Sequence, residues 1–91
     1  MRLNQQLVFA LRFAQFSTAL GIPPEAVAQM IAHARASAKC YERGDDAGEQ
    51  KHGGEVEAIA DKHGCRVEWA GLIPSVNRKG DPTTRQMLPT D

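Results

Sequence analysis

Residues 13–32, FAQFSTALGIPPEAVAQMIA, contain the end of one helix, a tight turn and the start of another. Gly21 suits the position just after a helix, where the backbone needs a positive φ. Pro24 suits the first turn of the next helix, because its missing N–H has no hydrogen bond to lose there. Glu25 then lies at the positive end of that helix dipole. The stretch therefore predicts two helices joined by a short corner.

The first helix, predicted over residues 3–20, has two apolar stripes. One stripe consists of Leu3, Leu7 and Leu11, and the other of Phe9, Phe13, Phe16 and Leu20. A chain of 91 residues has a thin core and covers only one such face well. We therefore expect another chain to complete the leucine face, either a second copy in a homodimer through helix 1 or a different protein.

Two more helices are predicted downstream of the corner. The second spans about 24–43, and its buried stripe follows the helical period at Val27, Met30, Ile31, Ala34, Ala38 and Tyr41. The third spans about 45–63, with one of two adjacent Asp residues as its N-cap and Gly64 after its end. Three glycines inside it, Gly48, Gly53 and Gly54, lower the helix propensity, so its first turns, up to residue 54, are expected to fray or bend.

After Gly64 the pattern changes from helical to alternating. The run CRVEW beginning at Cys65 places every second side chain on one face, which is typical of a strand. A second strand is predicted over 75–78 and a third over 83–88, separated by the turn-forming residues KGDP. Together they would make a small antiparallel sheet or hairpin on the helices. The predicted core contains Val27, Met30, Ile31, Val56, Ile59 and Trp69.

These elements predict a mostly helical α+β fold in a single domain covering 1–91. Its helical part is 1–64, its β part is 65–88 and its frayed tail is 89–91. Apolar residues make up 42% and charged residues 24% of the chain, which indicates a globular protein rather than a disordered one.

Targeting signals and cysteine usage favour the cytoplasm of a host cell. The apolar N-terminal stretch is interrupted by Arg12 and Gln15, is shorter than a membrane span and lacks a signal-peptide cleavage site. We therefore expect no membrane association. Cys40 and Cys65 are expected to stay reduced and unbridged in this compartment.

Charge is balanced over the whole chain but not along it. Eleven basic and eleven acidic residues cancel, which argues against binding driven mainly by phosphate neutralisation. The segment 42–62, however, carries seven acidic and three basic residues. A solvated face attracted to the basic first helices is the simpler interpretation. The functional interpretation is a partner-binding surface, and its residues are Asp45, Asp46, Glu49 and Glu55 together with Leu3, Leu7 and Leu11.

The corner also has the spacing of a helix-turn-helix motif, with Ser17 four residues before Gly21. Its second helix would offer DNA the side chains of Gln29, Arg35 and Lys39. Glu25 near the start of that helix would repel phosphate, and a reading helix usually has basic or amide side chains there. A DNA-binding regulator is therefore the alternative function, and a plain helical corner is the simpler interpretation.

Metal-binding and catalytic patterns are weak. The metal-ligand candidates are His33, Cys40, His52, His63 and Cys65, and their spacings match no common zinc pattern. His63 and Cys65 would share a strand face, with Asp61 near enough to orient the imidazole. A histidine closing a helix and a cysteine starting a buried strand explain the same residues more simply. We therefore predict no enzyme activity, no catalytic residue, no metal and no cofactor.

The C-terminal part resembles small phage and prophage accessory proteins. The likeness lies in GEVEAIADKHGCRVEWAGLIPS at 54–75 and RQMLP at 85–89: a helix, a glycine, a V-E-aromatic strand, a G-x-x-P turn and a terminal L-P. The resemblance implies a mobile-element protein that acts on a host factor. Anti-CRISPR proteins are one such class, mostly non-enzymatic single domains that bind a nuclease complex. They share no motif, so no functional residue is carried over.

We therefore expect a non-enzymatic protein-binding module that inhibits a host defence complex. The expected partner is a host protein complex or nuclease, and the acidic segment would mimic nucleic acid in a basic groove of that partner.

Overall fold

The computed structural model describes residues 3–81, and from residue 8 onward it describes their side chains. The helices are α1 (Leu3–Ala19), α2 (Pro24–Glu42) and α3 (Asp46–Lys62), and the strands are β1 (Cys65–Ala70) and β2 (Ile73–Arg78). The predicted mostly helical α+β class is confirmed, as are the places of the three helices. The third strand expected at 83–88 and the tail at 89–91 lie outside the described residues.

The helix ends form where the sequence predicts them. Gly21 follows α1 with a φ of 90°, and Gly64 follows α3 with a φ of 74°, a backbone conformation that glycine adopts without steric cost. Asp45 is the N-cap of α3, because its Oδ1 accepts a hydrogen bond of 2.9 Å from the backbone N–H of Gly48. These caps fix the short connections that fold α2 and α3 back on their neighbours.

The expected fraying of α3 before residue 54 is wrong, because the helix is continuous from Asp46 to Lys62. Packing against α2 and β1 outweighs the low propensity of its glycines. Ser37 on α2 donates a hydrogen bond of 3.1 Å to the carbonyl of Glu49, and the ring of Trp69 lies beside Gly53. Tertiary contacts along both sides therefore hold the helix straight through these positions.

Strands β1 and β2 form an antiparallel hairpin in which Cys65 pairs with Arg78 and Ala70 pairs with Ile73. A two-residue turn joins them, and Gly71 in this turn has a φ of 63°. Strand β2 therefore starts at Ile73, earlier than predicted, because so short a turn brings the chain directly back into register. Pro74 fits within it, since among the described residues β2 pairs only with β1 and its other edge has no partner strand.

The core lies where the three helices meet the hairpin. Its buried residues are Phe9, Phe13, Ile22, Val27, Met30, Ala34, Val56, Ala60, Cys65 and Val76. Among the predicted core residues, Val27, Met30 and Val56 are fully buried. The others pack against this cluster from half-buried positions, namely Ile31, Ile59 and Trp69.

One predicted core position on α2 is wrong. Tyr41 is 58% exposed, and the inward position at that turn is taken by Cys40, which is 4% exposed. The buried stripe of α2 passes through Ala34, Ser37 and Cys40. Ser37 can be buried there because its hydroxyl is hydrogen-bonded to α3. A stripe predicted from apolar residues alone leaves Ser37 out, and it therefore differs from the buried stripe near the end of the helix.

Candidate partner-binding surfaces

Helix α1 divides its two apolar stripes between the core and the solvent. Phe9 and Phe13 are buried, with ring centroids 5.5 Å apart, and Phe16 packs against the same cluster. Leu11 is 65% exposed. The other two leucines of the predicted face, Leu3 and Leu7, belong to the part of α1 whose side chains are outside the description. The aromatic stripe is therefore intramolecular, whereas Leu11 remains mostly exposed in the part of the chain that the structure describes.

The acidic residues of α3 separate onto two flanks of the helix. With about 3.6 residues per turn, Asp46, Glu57 and Asp61 fall within less than a quarter of the circumference. Glu55 falls on the opposite flank, together with Lys51. The structure thus brings some of the predicted residues together and sets Glu55 apart from them.

A shallow groove runs along the first of these flanks, between α3 and the hairpin. Glu49 and Glu57 line it together with Trp69, whose Nε1 donates a hydrogen bond of 2.8 Å to the carboxylate of Glu57. Glu57 and Asp61 line the adjoining stretch, where Asp61 forms an ion pair with Lys79. We use the name acidic flank for the three carboxylates that line this groove together with Asp46, which lies one turn before Glu49. The acidic flank thus consists of Asp46, Glu49, Glu57 and Asp61.

Only part of this negative charge is neutralised within the molecule. Asp45 lies 3.8 Å from the guanidinium of Arg43, and Asp61 pairs with Lys79. Within residues 3–81, Asp46, Glu49 and Glu55 form no ion pair. Two carboxylates of the acidic flank therefore remain available to a cation from another molecule.

The three residues proposed for DNA binding do not form one surface. Gln29, Arg35 and Lys39 are all exposed on α2. Arg35 and Lys39 are one turn apart and share a face, whereas Gln29 lies about a third of the way around the helix and shares its face with Glu25. The basic pair lies at the rim of a pocket between α1, α2 and the hairpin turn. No sequence pattern indicated this pocket. One of its walls is the turn residue Leu72, whose place beside α2 depends on how the hairpin packs on the helices.

The thiol and imidazole at the end of α3 are not arranged as a catalytic pair. The Sγ of Cys65 lies 3.6 Å from the backbone carbonyl oxygen of His63, to which it donates. Burial raises the pKa of the Cys65 thiol, although the positive charges of Arg78 and Lys79 oppose the shift. The group is therefore held as the neutral thiol, which is the unreactive form. Cys40 and Cys65 are both free, as predicted.

A pair of histidines that the sequence did not connect joins α2 to α3. The Nδ1 atoms of His33 and His52 are 2.9 Å apart, so one imidazole donates a hydrogen bond and the other accepts it. In the part of the chain that the structure describes, no three His, Cys, Asp or Glu side chains converge as metal ligands would. The pair could not be found from spacing, because the register between two helices decides it.

No helix within residues 3–81 is both long and apolar enough to cross a membrane. Comparison of the chain with protein-family models, with curated proteins and with solved structures finds no match.

Proposed function

We propose that this protein is a non-enzymatic binding module that docks its acidic flank on a basic surface of another protein. The observation that carries the proposal is the state of Glu49, which lines the α3 groove, and of Asp46, which lies one turn earlier in the helix. Neither carboxylate forms an ion pair among the described residues. Carboxylates in this state attract Lys and Arg side chains over several ångströms, which speeds encounter and fixes the orientation of docking.

The chemistry of the flank also suggests which partner it fits. Asp46, Glu49 and Glu57 form no ion pair among the described residues, and they extend along one side of α3 for roughly 16 Å of helix. A row of negative charges of this kind can occupy a groove that otherwise binds a phosphate backbone. We therefore propose a host nuclease or other nucleic-acid-binding defence complex as the partner.

In that role the protein is an inhibitor carried by a phage or another mobile element and acting inside the host cell, in the manner of anti-CRISPR proteins. The likeness of residues 54–89 to phage accessory proteins supports the same origin.

The test compares two double variants that remove equal charge from different surfaces. Asp46→Asn/Glu49→Gln removes two charges of the acidic flank, both from carboxylates that form no ion pair among the described residues. Glu25→Gln/Glu55→Gln removes two charges from exposed carboxylates elsewhere. Each immobilised protein is incubated with a bacterial lysate at low and high salt, after its fold is checked by circular dichroism. Captured proteins are then assayed for nucleic-acid binding with and without the module.

We expect the wild type and the Glu25/Glu55 variant to capture the same nucleic-acid-binding protein and to displace its nucleic acid. The flank variant should lose that capture. High salt should weaken the capture by the wild type and by the Glu25/Glu55 variant. Equal capture by both double variants would contradict the proposal, because the acidic flank would then contribute nothing specific.

A helix-turn-helix regulator is the second candidate, and the shape of the α1–α2 corner favours it. Ser17 is fully buried at the corner, and its carbonyl accepts a hydrogen bond of 3.1 Å from the N–H of Ile22. A gel shift of mixed-sequence duplex DNA that disappears at high salt, and that Arg35→Gln/Lys39→Gln removes, would favour this candidate over protein binding.

A further inference from the structure

We propose that the pocket between α1, α2 and the hairpin turn binds a small carboxylate that carries an apolar ring or branched chain. The pocket is separate from the acidic flank, and the proposal does not depend on a protein partner. Its apolar walls are Phe9, Ala34, Ala38, Leu72 and Ile73. Arg35, Lys39 and Glu42 complete its lining.

The pocket exists because α2 places small side chains where the neighbouring elements stay apart. Ala34 and Ala38 are one turn apart, so they share the face of α2 that looks toward Phe9 and Ile73. Longer side chains at these two positions would fill the space, as they do where Met30 packs in the core. Leu72 in the two-residue turn then closes one end.

The size of the pocket limits what it can hold. Its volume is about 130 Å³. An apolar cavity of roughly 150 Å³ in another protein is known to take up benzene, so this one fits one six-membered ring or a branched chain of similar bulk. A long acyl chain or a nucleotide base with its sugar would not be enclosed.

The charges beside the apolar walls select for an anion. Arg35 and Lys39 are exposed, and neither forms an ion pair within residues 3–81. Glu42 opposes them, which leaves two positive charges against one negative charge on this face of α2. A guanidinium beside an apolar wall binds a carboxylate well, since the fork geometry matches and the wall excludes competing water. A cationic ligand would meet the two basic groups instead.

The first test is a titration of the full-length, ¹⁵N-labelled protein, followed by amide chemical shifts. The probe is 3-phenylpropionate, and the matched neutral probe is 3-phenylpropan-1-ol. We expect saturable shifts centred on Phe9, Ala38 and Leu72, with the alcohol binding about tenfold more weakly, because it lacks the charge-assisted hydrogen bond. Shifts centred elsewhere, or equal affinity for the two probes, would overturn the proposal.

The second test uses variants whose effects have opposite signs. Arg35→Gln/Lys39→Gln should weaken 3-phenylpropionate binding about tenfold, whereas Glu42→Gln should strengthen it a few-fold, since it removes a repelling charge. All three positions are exposed, so the fold should survive. Lys51→Gln/Lys62→Gln on α3 serves as the control, because it also removes two positive charges from exposed positions that do not line the pocket. If this control pair weakens binding as much as the α2 pair does, the anion is held by net charge and the pocket assignment is wrong.

Discussion

Cys65 shows how burial changes the chemistry of a single residue in this fold. The side chain is 1% exposed at the start of β1, and removal from water disfavours the charged thiolate more than Arg78 and Lys79 favour it. The pKa of the thiol is therefore higher in the folded than in the unfolded chain. Protonation of this group and folding are consequently linked.

The linkage predicts a loss of stability at alkaline pH. Because the folded pKa is raised, the contribution is fully present below the ordinary thiol pKa of about 8.5 and is lost as the pH rises through the folded value. We expect the difference in unfolding free energy between the wild type and Cys65→Ala, measured in urea, to shrink from pH 7 to pH 10. A difference that stays constant over this range would show that the thiol titrates alike in both states.

At single positions the sequence predicts what local backbone chemistry decides and misses what neighbouring elements decide. The sequence predicted an N-cap at one of two adjacent Asp residues, which is Asp45, and a positive φ at Gly21. Both are requirements of the local backbone. Ser37 was missed as a buried residue, since the partner that satisfies its hydroxyl lies on α3. His33 and His52 were missed as a pair for the same reason.

Of the three helices that the structure describes, only α3 contains glycines, and these glycines differ in what they do. A Cβ at Gly48 would lie 2.7 Å from the Sγ of Cys40 and would also collide with the side chain of Asp45. A Cβ at Gly54 would meet nothing within 4 Å. The first glycine is therefore required by packing and capping, while the second only lowers the helix propensity.

Two alanine substitutions in α3 should therefore have opposite effects. Gly54→Ala should stabilise the protein by up to about 1 kcal/mol, which raises the melting temperature by roughly 4–8 °C in a domain of this size. Gly48→Ala should destabilise it by about 1–2 kcal/mol, because the new methyl group displaces the Asp45 cap and presses on buried Cys40. Thermal unfolding followed by circular dichroism measures both, and two shifts of the same sign would refute the distinction.

Element by element, the sequence predicted which segments are helices but not which of their faces carry the candidate sites. Period and caps located α1, α2 and α3. The division of the acids of α3 into two flanks follows from the helical period, but only if the helix is continuous through residue 54, where the sequence predicted fraying. Glu55 was grouped with Asp46 because both belong to one acidic run, although helix rotation places them on opposite flanks.

On the scale of the whole molecule, the described core buries the aromatic stripe of α1 and leaves Leu11 mostly exposed. The three helices and the hairpin bury Phe9 and Phe13, and nothing in the described part of the chain covers Leu11 to the same extent. The structure thus places the aromatic stripe inside the molecule, whereas completion of the leucine face by another chain stays a prediction. The physical reason for that prediction is the short chain, because so few residues cannot enclose a helix on all sides.

The exposed leucine predicts how the molecule associates. We expect the wild type to form a dimer at high concentration by pairing its α1 helices about a two-fold axis. The reason is that the helical period of the sequence puts Leu3 and Leu7 in line with the exposed Leu11, which makes a continuous apolar stripe. Leu11→Glu should then give a monomer in light scattering while the melting temperature of the fold changes little, because Leu11 is 65% exposed and Glu is a good helix former.

Phe13→Ala provides the contrast, since Phe13 is fully buried on the same helix and its loss should cost about 3–5 kcal/mol of unfolding free energy. If Leu11→Glu unfolds the protein as Phe13→Ala is expected to do, Leu11 belongs to the core. If it leaves the mass in solution equal to that of the wild type, the α1 helices do not pair, and association has to be sought at the acidic flank.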